Sequence, residues 1–183
     1  MMVLTHIAVG MALSLPVAVV APDLAASTAV GGAIGGAFPD VDLLFGDHRR
    51  TLHFPVLYWP PAIALAVVAL VVSPITIVAA VVVGAAAVHS ASDVLGAGEE
   101  LRPWERTNPD AVYDHLRGRW LRAQYIVRYD GAPEDLLLTV AFSTPVAVCL
   151  DGLPRWIAVL TVILALPYTI VRKRLPNQFE KIL

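Results

Sequence analysis

Six stretches of 15 to 19 mostly apolar residues, at 3–20, 24–38, 56–72, 74–92, 136–150 and 155–171, fill more than half of this 183-residue chain. One helical crossing of hydrocarbon takes roughly 17 to 25 residues, so each stretch lies at or just below the length of a span. The shorter ones predict a thin or partly re-entrant arrangement. With 57% hydrophobic and only 15% charged residues and a mean hydropathy of +0.70, the chain falls outside the range of soluble domains. The expected fold class is all-α: a polytopic membrane helix bundle of about five to six apolar helices. Residues 1–183 read as one membrane domain, with the polar segment 96–135 as a cytoplasmic loop or cap within it.

The first apolar run has no Lys or Arg before it and no small-residue cleavage pattern, so it reads as a retained anchor helix. Cys149 lies inside an apolar run, where a small buried hydrophobe is the expected role. A single cysteine excludes an internal disulfide framework. The formal charge of −2 gives no global field for nucleic acid.

If all six stretches cross, residues 39–55, 93–135 and both termini share one side. Twelve of the thirteen Lys and Arg residues then fall there, with Arg155 the exception. The positive-inside rule makes that side cytoplasmic and places the protein in the plasma membrane as a multi-pass chain. Gly31, Gly32, Gly35 and Gly36 form overlapping small-xxx-small pairs that let another helix approach closely. No strand precedes them and no Lys-Ser/Thr follows, which argues against a phosphate loop. Within the polar segment, Val112, Leu116, Trp120 and Leu121 recur at roughly helical spacing. That spacing predicts an amphipathic surface helix over 110–129.

Three short polar breaks hold the chemistry: Phe-Pro-Asp-Val-Asp with Asp40 and Asp42, His-Arg-Arg-Thr-Leu-His from His48 to His53, and His-Ser-Ala-Ser-Asp from His89 to Asp93. Ionisable groups beside hydrocarbon are costly and mark candidate sites. His89 and Asp93, four apart, share one helix face and can hold one ion between them; a hydrogen-bonded pair at a helix end is the alternative. Asp40 and Asp42 would point about 200° apart on a straight helix. Both reach one ion only from an extended or turn conformation, which Pro39 favours; the alternative is acids of a helix first turn. His48 and His53 fit one helical face poorly, so one of them is the expected ligand. His53 is the choice, with His48 supporting a ligand from behind or facing the substrate. Arg49 and Arg50 suit an anionic oxygen, or serve as membrane anchors. His6 lies in the first turn of the first apolar run. All of these meet on the predicted cytoplasmic face. A mixed imidazole and carboxylate site with open positions could bind zinc above all, or manganese or iron, activate water and polarise a phosphoryl oxygen. Glu99 and Glu100 are weaker candidates for a base.

Thr5-His6, the glycine-rich helix, Pro39-Asp40-x-Asp42, His48-Arg49 with His53, and His89-x-x-x-Asp93 followed by glycines and Pro103 resemble, in that order, the YdjM-like membrane-bound metal-dependent hydrolases. The resemblance covers roughly residues 1–105. It departs from the family at Thr51-Leu52-His53-Phe54, where Thr-His-Ser is usual. It implies an inner-membrane metal-dependent hydrolase, and a suggested distant relation to zinc-dependent phospholipase C and related nucleases implies phosphodiester chemistry. Some members of the family are under DNA-damage control.

The leading expectation is therefore a hydrolase of a phosphoester or related ester at the cytoplasmic membrane surface, acting on a small-molecule or lipid substrate. His6, Asp40, Asp42, His53, His89 and Asp93 would bind one or two ions, and Arg49 and His48 would serve the substrate. A cation or proton carrier is the second reading, although carrier sites lie nearer the bilayer midplane. A non-catalytic membrane scaffold is the third.

Overall fold

Chain punctuation follows the prolines. In the computed structural model, which describes residues 1–69 and 73–179, helices begin at or beside Pro60, Pro74, Pro133 and Pro154. Proline suits a first helical turn because its missing N–H would find no partner there anyway. α1 (Val3–Ala12) gives way to α2 (Leu15–Val20) where Pro16 cannot donate to the preceding turn. The backbone at Leu13 and Ser14 stays right-handed, so the pair continues as one apolar stretch of 18 residues. α3 (Ala25–Ala37), α4 (Trp59–Ala69), α5 (Pro74–Ser92), α6 (Pro133–Cys149) and α7 (Leu153–Val171) follow, and α8 (Leu175–Phe179) ends the described chain. Residues 70–72 of the expected 56–72 stretch lie outside the described residues.

Among the described residues, three helical stretches are long and apolar enough to cross a membrane: Val3–Val20, Pro74–Leu95 and Leu153–Asn177. Their outer faces carry large exposed apolar side chains, among them Ile75, Trp156, Leu160, Ile163 and Ile170. Bare apolar area on that scale needs lipid or a partner to cover it. The chain is mostly helical, and these long apolar helices fit a membrane protein.

α1 sits at the centre, against α3, α5, α6 and α7. Close approach is set by glycine. A Cβ on Gly32 would run into the Gly10 carbonyl, and one on Gly36 into the His6 carbonyl. α1 and α3 therefore run antiparallel in near-backbone contact, with His6 beside Gly36. Gly31 and Gly35 meet Val78 and Val82 in the same order along the chain, so α3 and α5 run parallel. The start of α1 and the ends of α3 and α5 thus gather at one end of the bundle.

Residues 110–129 depart from the expected amphipathic helix. Asp110–Asp114 (β1) pairs antiparallel with Arg119–Arg122 (β2), placing Tyr113 opposite Trp120. Gly118 takes φ +63° in the connecting turn. The Asp114 carboxylate accepts from the Leu116 and Arg117 amides at 3.0 and 3.2 Å and from the Arg117 guanidinium at 3.1 Å. β-branched and aromatic residues flanking a Gly turn favour strands, and the helical spacing of Val112, Leu116 and Trp120 was coincidental. The all-α expectation thus needs one two-stranded exception. A second departure concerns Cys149, which lies exposed at the end of α6 instead of in the core.

Candidate metal centre

The Asp40 and Asp42 carboxylates lie on a single 3-10 helix, Pro39–Leu44, not on an extended segment. Its tight winding sends them to different places. Asp42, 1% exposed, accepts from His48 Nδ1 and His53 Nδ1, both at 2.8 Å, and from the Leu52 amide at 3.2 Å. Asp40 instead faces the Nε2 atoms of His53, at 3.5 Å, and His89, at 3.3 Å.

Asp93 completes this group from the end of α5. Its Oδ2 lies 3.3 Å from His53 Nε2 and 3.6 Å from His89 Nε2. Both Nε2 atoms are buried, and neither makes a hydrogen bond among the described residues. Their protonation pattern is set from behind. His89 Nδ1 donates to the Gly36 carbonyl at 2.6 Å, and His53 Nδ1 donates to Asp42. With Nδ1 so engaged, each imidazole in its neutral form would turn an Nε2 lone pair toward the centre, the arrangement that orients imidazoles toward a metal.

The distances test the fit. Ligands bound tetrahedrally at about 2.0–2.2 Å stand roughly 3.3–3.6 Å from one another. Four of the six edges among His53 Nε2, His89 Nε2, Asp40 Oδ1 and Asp93 Oδ2 measure 3.3, 3.3, 3.5 and 3.6 Å. A divalent ion would offset the charge of the Asp40 and Asp93 carboxylates gathered here around the two imidazoles. Buried His and Asp groups here can hold a metal ion.

His6 stands in a second layer. Its ring stacks on His89 at 3.6 Å, and its Nε2 meets the other Asp93 oxygen at 3.0 Å. The Met1 ammonium reaches the same oxygen, also at 3.0 Å. His6, His89 and Asp93 form a second possible ligand group, and Asp42, His48 and His53 a third.

Electrostatics around the loop follow from this crowding. Burial opposes charge on His53, yet Asp40, Asp42 and Asp93 outweigh it and push the metal-free imidazole up to about 10. At Asp40 and Asp42 burial likewise opposes ionisation, but the neighbouring imidazoles hold both carboxylates below their usual range. Burial lowers His48, only partly offset by Asp42.

Arg49 plays a part its sequence did not reveal. Its backbone is left-handed at φ +58°, and its buried guanidinium donates to the Ala97 carbonyl at 2.6 Å and the Ala111 carbonyl at 3.3 Å. The Tyr113 amide donates back to the Arg49 carbonyl at 3.0 Å. Arg49 thus binds the ligand loop to β1, while still bordering a cleft of about 280 Å³ whose walls include Asp40, His48, Asp130 and Tyr168. Arg50 turns outward to Asp47. Glu100 accepts from Thr107, away from the centre. Asp130 was legible only as part of a turn. Here it receives the Tyr168 hydroxyl at 2.5 Å and a two-point contact from Arg172 at 2.6 and 2.9 Å. Asp135 was not singled out either, yet it accepts from the Met2 amide at 2.8 Å and the Thr5 hydroxyl at 2.6 Å. Those bonds lock the start of α1, and so His6, in place.

A larger apolar cleft of about 360 Å³ lies toward the opposite end of α1, between Leu13, Val17, Ala66 and Gly84, and no ionisable residue lines it. No family model, curated protein or solved structure matches this chain.

Proposed function

We propose that this protein is a multi-pass membrane hydrolase that uses a divalent ion, zinc above all, to cleave a phosphoester at the cytoplasmic membrane surface. Supporting the reading is the convergence of Asp40, His53, His89 and Asp93, with two buried ring nitrogens lacking any other partner. The resemblance to YdjM-like hydrolases in motif order agrees with it. A bound divalent ion would supply Lewis acidity toward a phosphoryl oxygen and toward water. Asp42 and the Gly36 carbonyl orient the two imidazoles. Asp40, 12% exposed at its side chain, stands between the centre and the cleft, where a substrate oxygen would approach. The six-crossing topology rests on helix direction and on the Lys and Arg distribution.

A structural metal staple is the second reading, favoured by one observation. Asp40, His53 and His89 lie close enough to share one ion, and Asp93 stands beside both imidazoles, so protein atoms could close the site as in structural centres. Against it, structural zinc is usually held by thiolates, and none is present here.

Metal analysis of detergent-purified protein, followed by hydrolysis of bis(p-nitrophenyl) phosphate, separates these. The hydrolase reading expects one stoichiometric divalent ion and turnover that both vanish in His89→Ala. Metal without turnover across phosphodiesters and phosphomonoesters would favour the staple. Absence of metal under chelator-free purification would overturn both.

A further inference from the structure

We propose that the substrate is a phosphorylated lipid, held with its phosphate in the polar cleft beside Asp40 and its acyl chain in an apolar groove that begins at the same residue. This rests on the hydrolase reading and adds the substrate class. Two hollows of about 280 Å³ each share Val3, Asp40 and Leu43 as walls. One continues to Met1, His48, Arg49, Asp130 and Tyr168, and so carries the ionisable groups of the pair. The other continues along Ala37, Val41 and Leu44, with Asp40 its only ionisable residue. A headgroup joined to a hydrocarbon chain has this same division.

The rim of the groove strengthens the case. Leu43, Leu44 and Phe45 are 63%, 84% and 54% exposed, beginning three residues after the metal-facing Asp40. Three consecutive bare apolar side chains beside an ionisable centre are costly in water. They lie just past the end of α3, at the level where α1 begins and α5 ends, which is where a bilayer presents its headgroups. A water-soluble phosphoester would use the polar cleft alone and would leave this groove and rim without a role.

The chemistry balances with water as the only co-reactant. A water oxygen forms a bond to phosphorus, and the bond from phosphorus to the lipid oxygen breaks. The electron pair of that bond stays on the departing oxygen, which takes a proton from water. The products are a lipid alcohol and phosphate.

The test uses metal-loaded full-length protein in mixed micelles containing phosphatidic acid with a diazirine in one acyl chain. Irradiation is expected to label residues 37–45 at least about tenfold more than the lipid-facing surface of α7, a factor worth roughly two buried methylenes. Ala37→Trp, which fills the groove, and Leu44→Asp, on an exposed side chain whose change spares the fold, should each remove that enrichment while metal content stays at the wild-type level. Labelling spread evenly over the apolar surface would overturn the proposal. Metal binding and phosphoester hydrolysis without enrichment would refute the lipid groove and leave the hydrolase reading standing. Enrichment in a protein that binds no metal would instead refute the hydrolase reading on which the substrate assignment depends.

Discussion

Asp42→Ala distinguishes a residue that holds a metal from one that holds a ligand. The sequence motif made Asp42 a candidate ligand beside Asp40; its two oxygens accept from His48, His53 and the Leu52 amide, which makes it the support of the His53 ring when the ion sits among Asp40, His53 and His89. Its removal should leave all four atoms of the centre in the chain but free the His53 ring to rotate and to change tautomer. Losing such a supporting carboxylate typically lowers metal affinity by about 10- to 100-fold, equivalent to roughly 1.4–2.7 kcal/mol. Three donors also lose their acceptor. At ~1–3 kcal/mol for each donor left dry, and with water able to enter the space beside the half-buried His48, a fold destabilisation of about 2–4 kcal/mol is expected. Competition against a chelating zinc indicator reads the first quantity, and urea denaturation in micelles the second. His89→Ala, which removes a ring nitrogen from the centre itself, should fall below detectable binding in the same assay. The reasoning is refuted if Asp42→Ala abolishes binding as fully as His89→Ala, or if it leaves affinity unchanged.

Gly36→Ala should destabilise by about 1–3 kcal/mol as overpacking, because its methyl meets the His6 carbonyl; thermal unfolding in detergent reads this, and reduced metal content should accompany it. Chelation of the metal should lower the melting temperature, since an ion at 100 times its Kd adds about 2.7 kcal/mol to the native state; scanning calorimetry with and without EDTA checks it. At Asp114, burial disfavours the charge, but the Arg117 amide and guanidinium and the Leu116 amide outweigh it and hold the carboxylate below its usual range. A depressed carboxylate stabilises above its unfolded value near 4 and loses that contribution as pH falls through the folded value. Hydrogen exchange at the 114–119 turn, corrected for intrinsic rate, should therefore rise on acidification below about pH 4 and be raised already at neutral pH in Asp114→Ala.

Sequence alone determined the mostly helical character of this protein and the apolar lengths that fit a membrane. Apolar runs of this length have few ways to satisfy their backbone outside helices. It also determined which ionisable residues stand out, because each interrupts or ends an apolar run at a cost composition makes plain. Periodicity failed at 110–129, where Val112, Leu116 and Trp120 matched a helix while Gly118 and the Asp114 side chain turned the chain back on itself. Local pattern carries no account of such a side-chain-capped turn.

Only the tertiary structure decided what each polar residue does. Asp40 and Asp42 are indistinguishable in the motif, but the 3-10 winding of 39–44 gives one to the centre and the other to the backs of two imidazoles. His6 is 83 residues from His89 in sequence, yet their rings stack because Gly32 and Gly36 bring α1 against α3 while Gly31 and Gly35 bring α5 against it. Arg49 looked like an anion-binding side chain, but its partners are carbonyls at Ala97 and Ala111, which no spacing near Arg49 could announce. Residue type and hydrophobic length are local properties, and the chain displays them directly. Ligand geometry depends on which atoms from distant segments meet within a few ångströms, and helix packing alone sets that.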